Sequence, residues 1–222
     1  MQNDIIITKI NLILGGSVMA YKLEDWTKRI RNRSDMSGYV YHLTRGNDSL
    51  ETIDVIIKIL NDRKLNGSTT NSGFIVGSNK AVCFQDTTTY GLCQNTYHEQ
   101  ILRSNDKKLK VRYRPIGLAF EKTYVYEKGG RPVIYEKTED AKKLLDKDEW
   151  WRIVNFDLSN RDQIIDWTHE REWRIKGDFE FDISKTIVVL VNNKTYKKFI
   201  SKVDKNILQY IGGIIVLDPI LT

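Results

Sequence analysis

The sequence predicts an α+β fold, with mixed, mostly antiparallel sheets and flanking helices. Two observations point there. Helical segments cluster between the strands, and a hairpin-type turn, Lys128-Gly129-Gly130-Arg131, joins two β-rich runs. A third sets the scale: the 222 residues suffice for one domain with a full core and contain no internal repeat or linker, so residues 19–222 read as a single unit.

Taken in order, residues 21–33 place Leu23, Trp26 and Ile30 at helical spacing. After a polar break at 34–38, Tyr39-Val40-Tyr41-His42-Leu43-Thr44 is rich in aromatic and branched residues, as a strand is. Ser49, with Glu51 and Asp54 behind it, opens a helix whose apolar face carries Ile53, Ile56, Ile57 and Leu60. That helix ends in the basic Arg63-Lys64 and stops at Gly67. A polar loop over 67–73 and a turn at Gly77 lead to the strand Lys80-Ala81-Val82-Cys83-Phe84. Asp86-Thr87-Thr88-Thr89 looks like an N-cap for a helix running through Leu92 and Tyr97 to Ile101. Residues 103–108 form a charged loop and 112–120 a strand, with Pro115 marking a bend. Residues 124–126 and 133–135 are the two arms of the hairpin, and 138–151 a helix with Leu144, Leu145 and Trp151 inward. Strands at 172–175, 179–181, 187–191 and 213–217, with a helix over 195–205, complete the chain.

Composition narrows the function classes. Hydrophobic residues at 41% and charged residues at 29% are ordinary for a folded cytoplasmic protein, and no apolar stretch reaches the 18 or so residues that a membrane span needs. Cys83 and Cys93, in a chain without secretory features, read as reduced thiols, and neither has a Cys or His at zinc-ligand spacing. The net charge of +6 permits contact with phosphates or an acidic partner, helped by the basic runs at 28–33 and 107–112. Aromatics do not interleave with those runs as they do on a platform that stacks single-stranded bases. At the N-terminus, the apolar run over 5–14 lacks the preceding basic residues of a signal peptide. Gly15-Gly16, with Met19 close behind, suggests a ribosome-binding site ahead of a start at Met19. Residues 1–18 are then a translated leader, or else an edge strand.

Three segments combine polar groups with strand context. In Tyr41-His42-Leu43-Thr44-Arg45, His42 and Thr44 lie two apart on a strand and share a face, which suits an amide or a ribose. A core histidine with satisfied partners fits the same pattern. In Val82-Cys83-Phe84-Gln85-Asp86 an apolar strand runs out into a helix start, a seat for a phosphate or an ordinary cap. In His169-Glu170-Arg171-Glu172-Trp173-Arg174, two carboxylates and Arg174 share a face if the run is a strand, so that one carboxylate is held by a cation. Such a carboxylate can orient a ribose hydroxyl and stabilise positive charge on a sugar carbon, whereas the plainer reading is a salt-bridged edge strand. No nucleophilic triad order, phosphate-binding glycine loop or metal-ligand spacing is present.

These segments resemble, in order, those of PARP-like and DarT-like ADP-ribosyltransferases: a His-x-Thr strand, a helix, a glycine-containing loop, a second strand and a late glutamate. The resemblance implies a split sheet of that kind, with NAD⁺ as substrate. It implies that His42 and Thr44 bind NAD⁺, that Arg45 meets its diphosphate, and that Tyr90 or Tyr97 stacks on nicotinamide in place of an aromatic where Cys83 stands. Glu172, with Glu170 before it, would stabilise the transition state, so that Glu172→Gln abolishes turnover and leaves the fold intact. The run from Tyr41-His42-Leu43-Thr44 through Ile116-Gly117-Leu118 and Arg131-Pro132-Val133-Ile134-Tyr135 to Glu170-x-Glu172-Trp173-Arg174 is also similar to the AbiGi-like abortive-infection family of phage-resistance proteins. That likeness implies a toxin-like role in phage–host conflict, in a bacterium or a phage. The macromolecular acceptor would be protein or nucleic acid. The rival expectation is a binding module that senses a nucleotide or phage component, or neutralises a partner protein.

Overall fold

The computed structural model describes residues 20–46, 49–106 and 114–221. The leader or edge-strand reading of residues 1–18, the 107–112 basic run and the start of the strand expected at 112 lie outside the described residues. The chain divides into two units, residues 1–34 and 35–222. In the first, helix α1 (Leu23–Arg31) carries Glu24 and Asp25 in its first turn and Lys28, Arg29 and Arg31 in its last, which suits the helix dipole at both ends.

The second unit is built on a seven-stranded sheet of mixed but mostly antiparallel pairing, flanked by helices, so the α+β expectation holds at that level. Its strands, from one edge to the other, are β11 (Gly213–Val216), β10 (Ile187–Leu190), β4 (Gly117–Glu121), β1 (Tyr39–Leu43), β3 (Ala81–Gln85), β8 (Glu172–Lys176) and β5 (Arg131–Pro132). Within this sheet, among the described residues, only β10 and β11 pair in parallel. Two small sheets pair β2 (Lys64–Leu65) with β9 (Phe179–Glu180), and β6 (Ile134–Glu136) with β7 (Ile153–Asn155).

Strand alternation sorts the core into two faces. Val40, Val82, Phe84, Leu118 and Phe120 join Phe179 and Phe181 on one side, beneath α2 (Thr52–Asp62) and α6 (Asn193–Lys202). Phe84, Phe120 and Phe179 meet edge to face at 5.1–6.1 Å between ring centroids, the arrangement that aromatic quadrupoles favour. On the other side Tyr41, Ala119 and Val189 pack with Leu92 and Cys93 of α3 (Thr89–Asn105) and with Leu217. Gly117 of β4 has no room for a side chain, because a Cβ there would stand 2.1 Å from the His42 carbonyl oxygen. The close β1–β4 register next to His42 depends on that glycine.

One irregularity interrupts the sheet. β1 pairs with β4 along its whole length, yet meets β3 at a single register point, Tyr41 opposite Gln85. Beyond that point the Cys83 carbonyl is taken by the His42 side chain, Nδ1 to O 2.8 Å, instead of by a β1 amide.

Local patterning misled in three places. Tyr124-Val125-Tyr126 is not a hairpin arm but lies within α4 (Lys122–Glu127): Val125 is buried, Tyr124 packs near Phe120 and Phe179, and Tyr126 faces outward under the Arg131 guanidinium. The helix expected at 138–151 breaks after α5 (Thr138–Leu144), which leaves Leu144 exposed, and resumes as a 3₁₀ segment, Lys147–Arg152, that buries Trp151. Helix α2 stops five residues before Gly67, with Arg63 as its left-handed cap at φ 50°, and Lys64-Leu65 turns straight into β2.

Candidate functional site

A cavity of about 420 Å³ opens where β1 and β3 part, within the size range of small-molecule sites. All three polar segments reach it. His42 and Arg45 line it from β1 and the loop after it, Cys83 and Gln85 from β3, and Glu170, Glu172 and Arg174 from β8 and the turn before it. Trp167, Phe74, Asn155 and Thr138 contribute from surrounding loops and helix starts.

Three sequence-predicted residues are not in its wall. Thr44 lies one residue past β1, with its amide on the Ile116 carbonyl at 2.9 Å. Tyr90 and Tyr97 are each 60% exposed on α3. That helix buries Leu92, Cys93 and Thr96, and residues 90 and 97 fall outside that stripe, on its exposed flank. Aromatic side chains that do border the cavity include Trp167 and Phe74, with Tyr41 and Phe84 at the strands. The helix start at residues 86–89 is an ordinary cap, because the Thr88 side chain accepts the Gly91 amide at 3.1 Å.

Glu170, Glu172 and Arg174 do not share one strand face. β8 begins at Glu172, Glu170 closes a 3₁₀ turn, and Arg171 between them takes the left-handed region at φ 44°. Anchors hold that conformation: Arg171 donates from Nε to the Asp86 carbonyl and from Nη1 to the Asp35 carbonyl, each at 2.7 Å. A non-glycine residue held so is strained, and the strain sets the direction in which Glu170 leaves the sheet.

Arg174 is the best-connected side chain of the site, at 2% exposure. Its five N–H groups find five acceptors. Nε and Nη2 reach the two Glu172 carboxylate oxygens at 2.8 and 3.2 Å, Nη1 the Trp151 and Ile153 carbonyls, and Nη2 also the Phe74 carbonyl. Burial is the largest single influence and opposes the charge, but Glu172 and Cys83 together outweigh it and hold the guanidinium pKa above its ordinary value. The backbone of Glu172 is fixed too, its amide donating to the Tyr135 hydroxyl at 2.7 Å. Burial first of all pushes that phenol up to about 12. Burial, reinforced by Glu172, also pushes the Cys83 thiol well up, which makes it a protonated wall group and a poor nucleophile.

Because a carbonyl only accepts, the bond to Cys83 places the His42 proton on Nδ1 and leaves Nε2 an acceptor. Burial lowers the imidazole pKa, and the carbonyl bond offsets part of that. The folded value therefore lies below the unfolded one. Stability is fully present above the unfolded value of about 6.5 and is lost as pH falls through it toward the folded value. Denaturant midpoints measured between pH 7 and pH 5 are expected to fall with pH, and His42→Gln to flatten that slope.

Gln85, Trp167 and Asn155 are among the wall residues to which sequence reasoning gave no role. A usable signal existed for Gln85, a polar residue ending an otherwise apolar strand, whereas Asn155 ends the three-residue β7 and Trp167 precedes a 3₁₀ turn, segments too short to carry a periodicity. Among the described residues no group of three or more His, Cys, Asp or Glu side chains could hold a metal ion, and no helix is long and apolar enough to cross a membrane. Comparison with family models, with curated proteins and with solved structures gives no match to this chain.

Proposed function

We propose that the chain is an ADP-ribosyltransferase-like enzyme, which binds NAD⁺ in the β1–β3 cleft and transfers ADP-ribose to a macromolecule in phage–host conflict. The observation that carries the proposal is the cleft itself. The strand bearing His42 parts from β3 after one register point, and the cavity formed there is bordered across β3 by Glu170 and Glu172. In this reading that parting is the split of an ADP-ribosyltransferase-like sheet.

The residue roles follow from placement. His42 presents a neutral acceptor to a hydroxyl or amide, Arg45 at the exposed rim meets the diphosphate, and Trp167 takes the stacking role for which Tyr90 and Tyr97 lie too far round α3. In the reaction the bond between nicotinamide nitrogen and the anomeric carbon breaks, and its electron pair leaves with nicotinamide. Positive charge builds on the sugar carbon, a nearby carboxylate stabilises it, and an acceptor nucleophile bonds there and loses its proton. Glu170 and Glu172 both border the cavity and are the candidates for that carboxylate; Glu172 is held by Arg174 through both of its oxygens, and Glu170 stands in the turn before β8.

Titration of the full chain with NAD⁺, followed by incubation with labelled NAD⁺ and cell lysate, tests the proposal. Saturable binding with label moving onto protein or nucleic acid supports it. Absence of both overturns it in favour of the binding module, the reading favoured by the engagement of Glu172 with Arg174. In that case the cavity senses a nucleotide or phage component without turnover.

A further inference from the structure

We propose that Gln85 is the ligand-reading residue of the cavity, and that it recognises a planar group carrying an N–H donor beside an acceptor, such as a carboxamide or the amino edge of a nucleobase. The chemistry of the side chain sets the class: an amide offers one donor and one acceptor side by side, and pairs best with a partner that does the same.

Gln85 stands at the one point where β1, β3 and β8 are all in register, its Cα opposite both Tyr41 and Glu172. It is 6% exposed and borders the cavity. Its Oε1 is shut from solvent and has no hydrogen-bond partner among the described residues. Neighbouring polar groups are already engaged: the Tyr41 hydroxyl with Thr89 at 2.9 Å, Glu172 with Arg174, and His42 Nδ1 with the Cys83 carbonyl. A buried amide oxygen left unbonded costs stability, so a core position here suits a hydrophobe better. The terminal torsion of glutamine is soft, so rotation brings either end of the amide toward the cavity. Across the cleft, the bare Nε2 of His42 adds an acceptor, and burial keeps that ring neutral. Both features suit an uncharged N–H-bearing ligand group over a carboxylate or an analogue that lacks the N–H donor.

The choice of first probe rests on the transferase reading, but the inference survives its failure. Affinities of the full chain are measured for NAD⁺ and two single-group analogues, one with a carboxylate for the carboxamide, the other with a hydrogen for the adenine amine. One analogue is expected to bind at least about tenfold more weakly, because a site built to pair a polar group leaves its own group unpaired with the wrong ligand. Gln85→Met is expected to erase that preference and weaken NAD⁺ binding while leaving the unfolding midpoint unchanged or raised, an outcome a merely structural glutamine does not produce. Equal binding of all three dinucleotides overturns the inference and leaves the transferase reading standing, as does a lowered midpoint in Gln85→Met with unaltered affinity. If NAD⁺ does not bind, adenosine against purine riboside and cytidine against its 4-deamino analogue, each lacking the amine, take its place. A preference for the amino member supports Gln85 and removes the transferase, and no preference or no binding removes both.

Discussion

Arg174→Met is expected to lower the free energy of unfolding by about 3–5 kcal/mol, the usual cost of removing one partner from a buried ion pair. Against a typical total of roughly 5–15 kcal/mol that is a large fraction. The loss has two parts. Glu172 would remain as a buried carboxylate without its cation, and the carbonyls of Trp151, Ile153 and Phe74 would lose the donor that now draws them together. Urea unfolding measures it as a lower midpoint at unchanged slope. Adding Glu172→Leu to Arg174→Met is expected to recover much of the loss, since an apolar pair of similar volume is often as stable as a buried ion pair. A single-variant loss below about 1 kcal/mol would mean that the five bonds add little beyond their desolvation cost.

Glu170→Gln is expected to reduce ADP-ribose transfer by about 10²–10³-fold, the scale of losing one group that stabilises charge in a transition state. Its unfolding midpoint should move less than that of Glu172→Gln, because Glu170 stands in a turn at the cavity edge whereas Glu172 is bonded to the buried Arg174. Glu172→Gln is expected to behave differently from the sequence-based expectation of an intact fold. It leaves the Arg174 guanidinium beside a neutral amide, so stability falls together with any activity. Measuring turnover and midpoint for both variants separates the roles. Full activity in Glu170→Gln with none in a still-folded Glu172→Gln would return the chemistry to Glu172.

Much of the frame is written in local pattern. The apolar spacing over Ile53, Ile56 and Leu60 and the branched run Ile187-Val188-Val189-Leu190 define a helix and a strand wherever they are placed, because 3.6- and 2-residue periods leave few alternatives. Tyr124-Val125-Tyr126 shows the limit: three β-favouring residues follow a helix because Val125 and Tyr124 find buried partners that only the assembled sheet supplies.

For the site, the sequence determined by itself that polar side chains stand on or beside strands, at His42 and in the Glu170–Arg174 run. Tertiary structure alone decided which of them meet. Their separation along the chain exceeds 120 residues, and only the sheet order β1, β3, β8 brings them to one cavity. It also decided their chemistry. Two carboxylates two residues apart look equivalent in sequence, but a single left-handed residue, Arg171, sends one into a buried guanidinium pair and leaves the other at the cavity wall. The reason is physical: charge, burial and hydrogen bonding depend on neighbours in space, and a local pattern carries no information about who those neighbours are.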